Sequence, residues 1–243
     1  MKKIVAFTAF LTLLLISGQA QDVRFGFQLS PAFSWMSANT NKINSSGTNL
    51  GLKLGMVGEF YFQENYAVTS GLGFFFNTGG TLLHERAGDF WVNSELPESC
   101  RSATKSSTMT KLKYNLQYVE IPVGLKMRTR EFGYIRYFIE PHLGFGFRTQ
   151  ANGDITSEGE ACKDLNIQSD VNLLNLFWGI NAGIEYSISE STSLVGGAGL
   201  QFGFADATKD DDTVFLENNP NNPAAEKSKG AIRAFVIKLG VIF

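Results

Sequence analysis

The sequence predicts an all-β chain: an eight-stranded antiparallel transmembrane β-barrel with short periplasmic turns and four long extracellular loops. Three observations carry this expectation. Eight segments alternate apolar residues with small or polar ones at period two. The connections between them are long and short in strict alternation. When the strands are run up and down in turn, the outward aromatics fall into two belts, as they do at the two interfaces of a membrane.

Lys2 and Lys3 precede an apolar run, residues 4–16, that is too short to cross a bilayer comfortably. Gly18-Gln19-Ala20 then supplies the small residues of a cleavage site. A secretory signal peptide over residues 1–20 is expected, leaving residues 21–243 as one barrel domain. No cysteine follows the cleavage point, so a lipid anchor is not expected.

The first strand segment, residues 23–35, carries Val23, Phe25, Phe27, Leu29, Phe33 and Trp35 on one face. Residues 50–62 present Leu52, Leu54, Met56, Phe60 and Phe62, with Lys53 and Glu59 on the other face. Residues 66–76 place Val68, Leu72, Phe74 and Phe76 against Thr69, Gly71 and Gly73. In residues 114–128, Val119, Ile121, Val123, Leu125 and Met127 oppose Glu120, Pro122, Gly124 and Lys126. The upper end of that segment, Leu112 to Leu116, has the opposite phase. A bulge near Gln117, or a strand projecting beyond the membrane, would account for it.

Residues 136–147 set Tyr137, Ile139, Leu143, Phe145 and Phe147 against Arg136, Glu140, His142, Gly144 and Gly146. Residues 172–188 carry Leu174, Leu176, Trp178, Ile180, Ile184 and Tyr186 outward. Residues 193–205 carry Leu194, Leu200, Phe202 and Phe204, and residues 231–243 carry Phe235, Ile237, Leu239, Val241 and Phe243. Each segment reaches the roughly 9–11 residues that a tilted membrane strand needs.

The short connections are residues 63–65, 130–133 and 189–191. The long ones are residues 37–49, 77–111, 148–171 and 206–230, rich in Ser, Asn, Gly and Asp. An even strand number puts both termini beside the short turns, on the periplasmic side. A charged fraction of 18% is low against the ~25% of soluble domains. After the N-terminal segment no stretch is long and apolar enough for a membrane helix. No basic run supports nucleic-acid binding.

The inward series collects Arg24, Lys53, Glu59, Glu120, Lys126, Arg136, Glu140, His142, Glu185 and Lys238 among glycines. Eight strands enclose a space that side chains can fill. A mixed-charge network closing the lumen is expected, because unpaired charges there would be costly. A narrow ion or proton path is the alternative.

No catalytic residue, cofactor or metal site is expected. His142 faces the lumen beside Glu140, where it suits a network member better than the base of a Ser–His–Glu hydrolase. His84 has no metal-ligating neighbour at a useful spacing. Asp210-Asp211-Asp212 is read as a solvated charge run. Cys100 and Cys162 sit in the second and third long connections, where an oxidising compartment favours a disulfide between them over two free thiols or other partners.

Tyr118-Val119-Glu120-Ile121-Pro122-Val123-Gly124-Leu125-Lys126 resembles the Tyr-hydrophobic-Glu-Ile-Pro-hydrophobic-x-Leu-Lys strand of the PorT-like outer-membrane β-barrel proteins of Bacteroidota. Gly144-Phe145-Gly146 is similar to that family's Gly-hydrophobic-Gly strands. The architecture resembles the OmpA and OmpX membrane domains, which implies a barrel mostly closed to solutes. The final Phe243, after Val241, Leu239 and Ile237, resembles the C-terminal signal read by the barrel-assembly machinery, although Lys238 and Gly240 depart from its usual glycine placement. Asp212-Thr213-Val214 resembles a short O-glycosylation motif of Bacteroidota, with Thr213 as acceptor.

These features predict a non-enzymatic outer-membrane scaffold acting through its loops or barrel wall. Its expected partners are outer-membrane lipid, the assembly machinery during insertion, and a larger outer-membrane complex. A secretion or assembly subunit, a narrow channel and, last, a lipid-modifying enzyme are the alternatives.

Overall fold

The computed structural model describes residues 22–157 and 160–243. The expected signal peptide and its cleavage site lie outside the described residues. Eight long strands form the barrel: β1 (Asp22–Ala38), β2 (Ile43–Gln63), β3 (Tyr66–His84), β5 (Thr110–Arg128), β6 (Ile135–Ser157), β8 (Leu174–Ser187), β9 (Ser193–Gly203) and β12 (Gly230–Ile242). Each pairs antiparallel with its predecessor in this series. The β1–β12 and β5–β6 ladders complete the ring. Closure is what lipid demands, since an open edge would leave backbone N–H and C=O groups without partners.

The outward and inward series separate as alternation requires. Phe25 and Phe27 are more than 60% exposed, while Arg24 on the opposite face is 8% exposed. The phase change near Gln117 has both of the expected causes. Gln117 pairs with Gln150 but Tyr118 pairs with Arg148, so β6 carries the extra residue Thr149. On the other side, Phe75 pairs with Tyr118 and Thr78 with Leu116, which leaves β3 with one residue too many. Asn77, in that β3 irregularity, has φ 53°. Above these bulges the strands project beyond the apolar band, and Leu112, Tyr114 and Leu116 turn inward.

The outer connections are more ordered than their polar composition suggests. The expected loop over residues 37–49 is mainly strand, with only residues 39–42 between β1 and β2. Outside the lipid the outward face meets water, so polar residues can occupy it and the apolar alternation disappears from view. Residues 85–109 contain β4 (Gly88–Asp89) and α1 (Glu98–Ser106). The hairpin strand β7 (Glu160–Asn166) continues the sheet beside β6. In the last connection, β10 (Thr213–Phe215) lies between β4 and β11 (Pro223–Ala225).

These pieces cap the barrel mouth. Phe90 and Trp91 are buried against Leu112, Leu116 and Ile155. Trp91 Nε1 donates to the Tyr114 hydroxyl at 3.1 Å. Arg101 and Lys105 of α1 both pair with Asp89, at 2.8 and 2.9 Å. A disulfide joins Cys100 of α1 to Cys162 of β7, with Cα atoms 6.3 Å apart and a sequence separation of 62.

Reduction, or Cys100→Ser, is expected to loosen the cap by ~2–4 kcal/mol while leaving the membrane barrel intact. Limited proteolysis in detergent, with heat-modifiable gel migration as the control, checks this. Equal cleavage rates for oxidised and reduced protein would count against it.

Candidate functional site

The barrel interior below the bulges holds stacked ion pairs. At the periplasmic end, Lys126 of β5 reaches across the lumen to Glu59 of β2 and Glu185 of β8. Tyr61 donates its hydroxyl hydrogen to Glu59 Oε2 at 2.7 Å. The Arg24 and Arg128 guanidiniums lie 3.8 and 3.7 Å from Glu185 Oε2. Arg24 also donates to Ser193 Oγ at 3.0 Å, and Arg128 stacks over the Tyr61 ring at 4.0 Å.

The middle layer centres on Glu140 of β6. It accepts hydrogen bonds from Thr69 Oγ1 at 2.8 Å, from Asn181 Nδ2 at 3.3 Å and from Lys238 of β12. The His142 ring lies 3.4 Å from Asn181 Nδ2 and edge-on to Phe177. Above it, Lys53 donates to Glu120 Oε2 at 2.7 Å and to Gln201 Oε1, while Gln201 Nε2 donates to Glu120 Oε1 at 3.0 Å. A ceiling of Phe75, Tyr118 and Phe177, each no more than 2% exposed, separates these charges from the cap.

Glycines make room for the larger groups. A Cβ on Gly144 would sit 2.2 Å from the Phe177 ring, and one on Gly179 would sit 2.5 Å from His142 Nε2. The interior is therefore filled by long side chains meeting bare backbone. The remaining cavity between the middle and upper layers is about 70 Å³. That holds a few water molecules and is far below the ~300 Å³ of a small-molecule pocket.

Nine of the ten candidate lumen residues come together in these layers. Arg136 does not. It stands at the start of β6 and pairs with Glu131 of the periplasmic turn at 2.6 Å, with both side chains partly exposed. A residue so near a strand end has a rim and solvent within reach, which alternation alone does not reveal. Arg128 joins the network in its place. Its signal was its phase, since it shares a face with Lys126. Gln201 and Asn181 were legible in the same way, two residues from inward-facing glycines.

Among the described residues, no serine, threonine or cysteine hydroxyl or thiol is hydrogen-bonded to the His142 ring. Among them no group of three His, Cys, Asp or Glu side chains is arranged to hold a metal ion. His84 is buried against Phe90, with ring centroids 4.4 Å apart. Thr213 lies half-buried in the central strand of the cap sheet, its backbone between Ala225 and Asp89. Asp212 is not part of a solvated run, because the cap buries it. Burial, Asp170 and Glu226 push its carboxyl up to about 7, against the hydrogen bonds from Val92 and Trp91.

Removing one partner of the lower bridge, as in Lys126→Met, leaves two buried carboxylates facing each other. It is expected to cost ~3–5 kcal/mol, read as a lower urea midpoint in lipid vesicles. In the cap, the folded Asp212 binds its proton more tightly than the unfolded chain does. The cap is thus least stable above about pH 7 and gains as pH falls toward the ordinary aspartate range near 4. Between about pH 8 and pH 7, where an ordinary histidine stays mostly neutral, the protection of cap amides, taken relative to the intrinsic base-catalysed exchange rate at each pH, should rise as pH falls. The slope should vanish in Asp212→Asn, and a wild-type slope of the opposite sign would refute the assignment.

A sequence-family comparison matches residues 19–209 to the family described as outer membrane protein beta-barrel domain. No curated protein matches the chain at significance. Similar solved structures include neisserial surface protein A (8% identity, 92% of this chain and 98% of that one, TM-score 0.44). They also include outer membrane protein OprG from Pseudomonas aeruginosa (10%, 92% and 97%, 0.45). A third is a major outer membrane protein from Thermus thermophilus (13%, 91% and 99%, 0.42). With the family match spanning well over half of its length, the chain belongs to the outer membrane protein beta-barrel domain family and is a protein of the outer membrane.

Proposed function

We propose that this barrel is a non-enzymatic, solute-closed scaffold of the outer membrane, working through its outer cap and its wall. The observation that carries the reading is Lys126 held between Glu59 and Glu185, one cation tying three strands together across the lumen. Opening a path there requires separating charges in a space of low dielectric, and the aromatic ceiling would still block the way. The cavity between the middle and upper layers is too small for a sugar or an amino acid. The recess of about 440 Å³ beside Arg24 and Arg128 lies at the periplasmic mouth, lined by the turn residues Glu131, Ser189 and Glu190.

A PorT-like affiliation is the finer family reading. It is supported by the strand motif, whose residues divide the work of closure. Tyr118 belongs to the ceiling, Glu120 to the upper ion pair and Lys126 to the lower bridge. Partner binding falls to the cap, whose β4, β10, β11 and α1 form a surface separate from the membrane wall. A larger outer-membrane complex is the partner class proposed, with a secretion or assembly machine as one example. The C-terminal strand, closing on β1 through paired Phe25 and Phe243 backbones, is where the assembly machinery would act during insertion.

Planar-bilayer recording tests the closed lumen. The protein should give no steady openings, and Lys126→Met should raise leak at most transiently. Steady single-channel openings that Glu140→Gln abolishes would replace the scaffold with a channel.

A further inference from the structure

One charged side chain stands on the lipid-facing wall itself. Arg233 belongs to the outward series of β12, above Phe235, Ile237, Leu239 and Phe243, and it is exposed. The register carries one outward row across five strands, from Trp178 to Phe202, Arg233, Trp35 and Thr48. The aromatics in this row belong to the upper belt. From Phe243 to Arg233 are ten residue steps. At roughly 3.3 Å each and a tilt of about 40°, they rise about 25 Å, the height of an outer-membrane apolar band. Arg233 therefore sits where the outer-leaflet acyl chains end and the headgroups begin.

A second cation overhangs the same ladder. Lys229, just before β12, extends its ammonium to the carbonyl of Phe204, two residues beyond Phe202. Asp206, in the connection that leads to β12, directs its Oδ1 to the backbone and to Thr208. It accepts from the Thr208 amide and hydroxyl at 3.0 and 2.9 Å and from the Gly230 amide at 2.9 Å. Among the described residues, neither Arg233 nor Lys229 forms a salt bridge. The lumen cations, by contrast, each lie within salt-bridge distance of a carboxylate.

We propose that Arg233 and Lys229 form a binding site on the outer wall for the phosphate headgroup of an outer-leaflet lipid. A guanidinium presents paired donors that match a phosphate, and a lysine ammonium adds a point charge beside it. Trp35 and Phe202 on either side pack against the upper ends of the acyl chains and fix the depth at which the headgroup meets the arginine. The ligand class is a phosphorylated lipid and not a soluble anion, because the site opens onto the bilayer, with an aromatic shelf beneath it.

The test uses the full chain, folded in nanodiscs of phosphatidylcholine containing either bis-phosphorylated lipid A or the same lipid with its phosphates removed. Lipid retained after transfer to mild detergent is counted by native mass spectrometry. The phosphorylated form should be retained roughly tenfold more, which corresponds to one good charge-assisted contact. The double variant Arg233→Gln/Lys229→Gln should lose that preference, and Arg233→Lys should keep part of it. Heat-modifiable migration verifies folding of each variant. Equal retention of the two lipids by the unaltered protein overturns the proposal without reference to any variant. An undiminished preference in the folded double variant overturns it as well. Displacement of the lipid by excess inorganic phosphate would make the ligand a soluble anion and overturn the lipid assignment.

Discussion

The requirement that every backbone amide be paired inside lipid shapes the rest of this molecule. It forces the sheet into a ring, and a ring of eight strands leaves a bore that must be filled by side chains. The lipid takes the apolar outward series, so the filling comes from the other series. That series is a mixture of glycines, long charged side chains and amides. The ion pairs of Lys126, Lys238 and Lys53 follow from this division. A charge in the bore has to find an opposite charge, and the antiparallel register brings carboxylates from facing strands to meet it.

The same constraint is relaxed outside the membrane, and the structure changes character there. Above the bulges at Thr149 and in β3, the strands continue but their phase reverses. Water now covers the outer face, so apolar residues move inside. Met36, Leu112, Leu116 and Ile232 build a core of the kind soluble proteins have. Phe90 and Trp91 plug it from the long β3–β5 connection. The barrel is thus two storeys of one sheet, polar inside below and apolar inside above, with Phe75, Tyr118 and Phe177 as the floor between them.

What was legible in the sequence follows the same line. The membrane storey could be read strand by strand, because lipid admits one pattern on the outward face and two belts at its edges. The phase change at Leu112 to Leu116 was visible too, as a break in that pattern. The cap was less legible. Polar residues around Ser45 or Gln150 look like loop when no lipid enforces alternation, although they lie in strands. The insertion of Trp91 depends on a contact with Tyr114 from a distant strand, and no local period announces it. Within the bore, alternation identified which residues face inward but not their partners. Pairing Glu140 with Lys238 requires the stagger of the closed ring, and separating Arg136 from the network requires knowing where the rim lies.

The division into storeys also places the positions at which the protein can change without losing its fold. Substitutions in the lower bore disturb paired charges, and substitutions on the wall must satisfy lipid. The cap is held by a core it shares with the upper strand ends, its own small sheet, the Asp89 ion pairs and the Cys100–Cys162 disulfide. Few of those contacts pass through the ceiling. A cap that packs on the upper ends of the strands, and not on the charged bore, can vary its loops while the membrane storey continues to insert and close. Arg233 lies at the boundary between the two regimes, where the wall is still lipid-facing but the headgroups supply charge. A cation there needs no protein partner, because the membrane itself can provide one.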